Sequence, residues 1–401
     1  MDYIRVLLKI LRDNLPLFAG GGTLAGFHFH GDAWLVGLTD PLVATALFAW
    51  IFAAMLWSAF GVVHHADRLA GILREPYGTL VLTAAVIVIE VSLIAAIMLT
   101  GEAAPTLARD TMMAVLMLVL NGLIGSALLI GGLLHREQDY NLPGARAFLS
   151  VLIPLAVFAL VLPDFTVSTA APTFSPGQAL FFALLTAALY AVFLAIQTGR
   201  YNAFFRDSTP VRNGRDGMTA AGAQTGAQTG PAPDPAPAAA AGAATGGGAV
   251  PRPGLYHAVF LVLTLIPIVL LSTRMAVLVD FGTSKLGAPT AFGGIVIAFL
   301  VLTPEGIAAM KAAIANHLQR SVNLLLGAAL STIGLTVPAV LAIGLVTGKE
   351  VVLGLDQVGM VLLLLTLLVS SITFGGGRTN LLQGAVHLVI FLAYLGLVFN
   401  P

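Results

Sequence analysis

Eleven stretches of mostly apolar residues predict an all-α polytopic membrane protein, because about twenty such residues cross a bilayer as a helix. Two further observations refine the class. Single carboxylates, Glu90 and Glu305, sit near the middle of two of these stretches. The Lys and Arg residues gather on one side of the predicted membrane. Together they predict one N-terminal helix followed by two inverted five-helix repeats.

The composition agrees. Of 401 residues, 58% are hydrophobic and 9% charged, whereas a soluble domain carries about 25% charged residues. Mean hydropathy is +0.95. The net charge is zero, so no nucleic acid or other polyanionic partner is expected. The expected partners are the lipid bilayer and inorganic cations and protons; oligomeric state leaves no signal in the sequence. The absence of cysteine excludes disulfides, zinc–thiolate sites and thiol nucleophiles. The opening MDYIRVLLKILR is too charged and amphipathic for a signal peptide.

The predicted spans are 14–29, 38–63, 78–100, 109–133, 148–163, 177–199, 255–279, 290–312, 320–346, 356–374 and 380–400. The first is diluted by Gly20, Gly21, Gly22 and His28. The fifth is short and follows a Pro143–Gly144 turn. Residues 207–253 are rich in Ala, Gly, Pro and Thr; they have little to bury and read as a disordered linker. The expected division is 1–35 for the N-terminal segment and first helix, 36–206 for the first repeat, 207–253 for the linker and 254–401 for the second repeat. With the N-terminus inside, only Arg109, Arg274, Lys285 and Lys349 of the 19 Lys and Arg residues fall outside. That bias predicts a cytoplasmic N-terminus and linker and an external C-terminus.

Each five-helix unit carries its acid in its second helix. Five is odd, so the units enter the membrane in opposite directions. Pro76–Tyr77–Gly78 precedes Glu90 as Ala291–Phe292–Gly293 precedes Glu305. Inverted repeats are a common build of secondary transporters, with the site at their midplane interface. An acid at mid-span is costly to insert and marks function. Glu90 and Glu305 are therefore the expected cation- and proton-binding pair, and the expected ligands of the transported metal ion. Such a site holds protons when empty and is ionised when a cation binds. The alternative is that each glutamate is a protonated hydrogen-bonder between helices.

Further candidates surround the pair. Pro304 disturbs the helix at Glu305 and would break it, freeing carbonyl oxygens at membrane depth. Thr303 and Thr83 are candidate hydroxyl ligands, unless they bond within their own helices. Asn121, Ser331 and Thr332 could add neutral oxygens from the fourth and ninth spans, or could simply pack. His64, His65 and Asp67 lie at a cytoplasmic helix end and read as a solvated loop, with a metal site as the alternative. His135, Glu137 and Asp139 read as a wet loop. Asn380, Gln383 and His387 share a helix face beside Arg378 and read as the polar cytoplasmic end of a packed hairpin, with a pore-lining role as the alternative. No phosphate loop, zinc motif or Ser/His/Asp arrangement is found. No enzyme activity and no cofactor are expected, and transport energy should come from an ion gradient.

HHADRLAGILREPYGTL (64–80), IEVSLIAAIMLTGEAAPTLARDT (89–111), LTPEGIAAMKAAIANHLQRSVN (302–323), STIGLTVP (331–338) and GRTNLLQGAVHLVIFLAYL (377–395) resemble the calcium/cation antiporter superfamily. Within it they resemble the bacterial ChaA-type calcium/proton antiporters. The resemblance implies eleven helices in the bacterial inner membrane. It also implies exchange of cytoplasmic calcium, with sodium or potassium, for external protons. A mainly monovalent sodium or potassium/proton exchanger is the alternative, and a passive cation channel a more distant one. Related calcium/proton exchangers carry Gly-Asn three to four residues before each acid; here Val86–Ile87 and Val301–Leu302 stand there. That departure points toward looser ion selection.

Overall fold

The computed structural model describes residues 11–36, 38–73, 77–100, 105–199, 202–205, 254–285, 287, 289 and 291–399. Eleven helical rods lie among them. They are α1 (Leu15–Leu35), α2 (Pro41–Leu73), α3 (Tyr77–Thr100), α4 (Leu107–His135), α5 (Leu142–Leu160), α6 (Pro176–Thr198), α7 (Gly254–Ser284), α8 (Phe292–Ile314), α9 (Leu318–Thr347), α10 (Gln357–Thr373) and α11 (Leu381–Phe399). The expected spans are all present. The linker expected at 207–253 lies outside the described residues.

Two boundaries differ from expectation, and one expected break is absent. α5 begins earlier than predicted, because Pro143 sits in its first turn, where a missing N–H costs nothing. The Asn141 side chain caps that turn by accepting from the Gly144 N–H. α2 runs on to Leu73, so His64, His65 and Asp67 are helical and not a loop. His65 is 1% exposed, its ring bonded to Asn14 and to His257 at 3.1 Å each. α8 continues unbroken through Pro304. The proline removes one N–H from the helical ladder without ending the helix.

α2 packs against α7, and α3 packs against both. α4 is sandwiched between α8 and α11. Small residues permit the closest approaches. A Cβ on Gly384 would lie 2.4 Å from the Leu129 backbone N, and one on Gly294 would lie 2.6 Å from that of Thr111. Glycine replaces side-chain bulk with backbone contact here, as in other membrane bundles.

Helix ends are capped where the chain turns. Ser175 and Gln178 form a reciprocal capping box at α6. Asp356 accepts from the Gly359 N–H at 2.8 Å to start α10. Asp356→Ala is expected to lower stability by about 1 kcal/mol, read as a lower unfolding temperature of the purified protein in detergent.

α4 and α9 share an irregularity. Each opens near its middle into a wide π turn, Met117–Leu123 in α4 and Thr332–Thr336 in α9. Pro338 follows the second and lacks an N–H to return to the ladder. Such turns occur frequently at functional sites.

Candidate cation site

Glu90 lies in α3 and is fully buried; Glu305 lies in α8 and is 8% exposed. They come from helices of opposite direction in the predicted topology. Glu305 lies within electrostatic reach of Glu90 and of Asp67. The Glu90 carboxylate accepts a hydrogen bond from the Thr332 hydroxyl at 3.0 Å. Thr336 places a second hydroxyl beside the same carboxylate, although it completes no hydrogen bond of good geometry. Positions four apart share a helix face, so Thr332 and Thr336 both turn toward the same acid.

Each acid keeps one buried oxygen without a partner, Glu90 Oε1 and Glu305 Oε2. The Thr336 hydroxyl is unpartnered as well. Native proteins pair nearly all buried polar atoms, and these three are among eight unpartnered side-chain atoms buried in the described residues. The donor set here is entirely oxygen: two carboxylates and two hydroxyls. That set suits hard cations and protons. Among the described residues no three His, Asp or Glu side chains gather into a metal site.

The other sequence candidates separate from this cluster. Thr303 donates its hydroxyl to the Phe299 carbonyl of its own helix. Ser331 bonds back to the Ala328 carbonyl at 3.0 Å. Thr83 lies within hydrogen-bonding reach of the Tyr190 phenol, whose ring covers Gly334 in the α9 wide turn.

Asn121 belongs to a second buried polar group. Its amide nitrogen donates to Thr366 at 2.8 Å, and its oxygen faces His387 Nδ1 at 3.0 Å. His387 Nε2 faces the Thr373 hydroxyl at 2.9 Å. The amide oxygen can only accept, so His387 is protonated at Nδ1 and accepts from Thr373 at Nε2. His387 is therefore a buried link between α4, α10 and α11 and not a polar helix end.

Thr336 was not among the sequence candidates. The signal that could have found it is its place four residues after Thr332, on the same helix face. A separate cavity of about 260 Å³ opens beside Arg109, Asp110, Asp356 and Tyr394, and its lining includes neither glutamate.

The sodium/calcium exchanger protein family matches residues 43–199 and 256–400. The sodium-potassium/proton antiporter ChaA of Escherichia coli (strain K12) is 40% identical over 371 residues, covering 91% of this chain and 92% of that protein. The putative ionic transporter y4hA of Sinorhizobium fredii (strain NBRC 101917 / NGR234) is 38% identical over 382 residues, covering 92% and 96%. Native YfkE has the same fold, with a TM-score of 0.67 at 16% identity over 96% of this chain and 98% of that one. The H+/Ca2+ exchanger CAX follows with 0.63 at 14% identity, over 96% and 88%. The chain belongs to the sodium/calcium exchanger protein family, within the calcium/cation antiporter superfamily.

Proposed function

We propose that this protein is a proton-coupled cation antiporter that exports calcium, and also sodium or potassium, in exchange for protons by alternating access. The open carboxylate oxygens of Glu90 and Glu305, buried at mid-span, carry this reading. Cation and protons compete for the same oxygens, so a site emptied of one is filled by the other. Competition at a site exposed to one side at a time is sufficient for exchange. The two five-helix units, 36–206 and 254–401, supply one acid each. The charge bias supports a cytoplasmic N-terminus in a bacterial inner membrane.

A mainly monovalent sodium or potassium/proton exchanger is the second reading, and two observations favour it. The Escherichia coli relative is named for sodium and potassium. Calcium takes about six to eight oxygens, and aliphatic Ile87 and Leu302 stand where related calcium exchangers carry an asparagine.

Everted vesicles holding the protein and a pH-sensitive dye test the proposal. Adding calcium, sodium or potassium should release protons from energised vesicles, and Glu305→Gln should abolish the response to every cation. Full responses from Glu305→Gln vesicles would refute the shared site. Uptake of calcium-45 against sodium-22 separates the two readings.

A further inference from the structure

Each helix bearing an acid ends with unpaired carbonyls, as every α-helix does. Both are held by side chains of the other half of the chain. At the end of α3, the Lys349 ammonium donates to the Met98 carbonyl at 2.5 Å and reaches that of Leu99 at 3.4 Å. At the end of α8, Gln138 donates to the Ala313 carbonyl at 2.9 Å and His135 Nε2 to that of Ile314 at 2.9 Å.

The two holders sit at corresponding places. Residues 348–356 join α9 to α10, and residues 136–141 join α4 to α5. Each segment follows the third helix of its unit and grips the second helix of the other. The first is a strap laid over one face. Its Val352 N–H donates to the Pro105 carbonyl at 2.9 Å, Leu355 N–H to Leu160 at 2.9 Å, and the Gly354 carbonyl accepts from Arg109 at 3.1 Å. The second is fixed by a short antiparallel pairing of 137–139 with 378–380 and by Arg378, which bonds Asp139 at 2.9 Å. Gln138 is 3% exposed, with its amide seated over Gly131, where a Cβ would stand 1.8 Å from its oxygen. Asn316, with a φ of 61°, closes α8 and brings its own oxygen to Gln138 at 2.9 Å. With both grips made, both acids are buried.

We propose that Lys349 on one face, and Gln138 with His135 on the other, are positioning residues of the transport cycle. Each grip closes its own face by holding the end of an acid-bearing helix, and exchange requires the grips to be released one at a time. This rests on the antiport reading above. Weakening one grip should shift the resting protein toward the conformation open on that face, and should leave the acids themselves untouched.

The native chain has no cysteine, so single cysteines report access without background. Ile94 and Ala309 are both fully buried, and each lies one turn beyond its acid toward its grip. Ile94→Cys and Ala309→Cys are labelled with a membrane-impermeant maleimide in right-side-out and everted vesicles. Lys349→Met is expected to raise labelling at position 94 several-fold, from the Lys349 face only, without raising it at 309. Gln138→Leu should do the opposite. Lys349→Arg, which keeps the donor, should restore the parent pattern. A merely structural role would loosen both positions together or neither. Equal changes at both positions, or none in a correctly inserted protein, would overturn the proposal. Glu305→Gln vesicles run in parallel keep the two ideas apart, because loss of cation-driven proton release there upholds antiport whatever the labelling shows.

Discussion

Glu90→Leu is expected to abolish cation-driven proton movement and, at the same time, to make the protein harder to unfold. Glu90 is fully buried, and its Oε1 has no partner. A buried polar group left unpaired costs roughly 1–3 kcal/mol. Leucine fills a similar space without that cost. Thr332 loses its acceptor, but a threonine in a helix can bond back to its own backbone. The net change should therefore stabilise the fold, as removal of a functional but strained group often does. The combination is diagnostic. A glutamate that served only to tie helices together would give the reverse, lower stability with transport retained. Thermal unfolding in detergent and dye quenching in everted vesicles read the two halves of the result on the same preparation.

The second large effect is expected at the contact between α4 and α11. Gly384→Val places a Cβ 2.4 Å from the Leu129 backbone N and 2.8 Å from the Gly125 carbonyl oxygen. Neither is the end of a flexible side chain, so the helices must separate. Overpacking costs about 1–3 kcal/mol, occasionally more, and here the separation also strains the His387–Asn121 bond that spans the same interface. Unfolding temperature should drop sharply and yield with it. At Gly396, in the same helix, an added Cβ would meet nothing within 4 Å. Gly396→Ala should be neutral or slightly stabilising, since alanine favours helix over glycine. Equal tolerance at both positions would show that the close approach of backbones is not what holds α11 in place.

Much of this was legible in the sequence, because the bilayer imposes it. Span length, charge placement and the two mid-span acids are one-dimensional signals, and they located all eleven rods. Side-chain direction is different. Thr303 reads as a ligand beside its acid and Thr332 as a neutral oxygen from the ninth span, yet Thr332 reaches Glu90 and Thr303 bonds to its own helix. The outcome turns on which element packs against each side chain, which composition does not encode. Asn121 and His387 were far apart in sequence, and only packing showed that they complete each other. Pro304 was expected to break α8, but the neighbouring turns hold the helix through it.

The wide turn in α9 has a mechanical consequence. An extra residue in a turn can travel along a helix by exchanging one hydrogen bond for the next, like a crease moved along a carpet. As the crease passes, each residue is swung about the axis while both ends of the rod stay where they are. Thr332 and Thr336 sit at the two edges of such a crease. Exchanging which hydroxyl faces Glu90 can then proceed by local slippage, with no need to rotate all 30 residues of the helix.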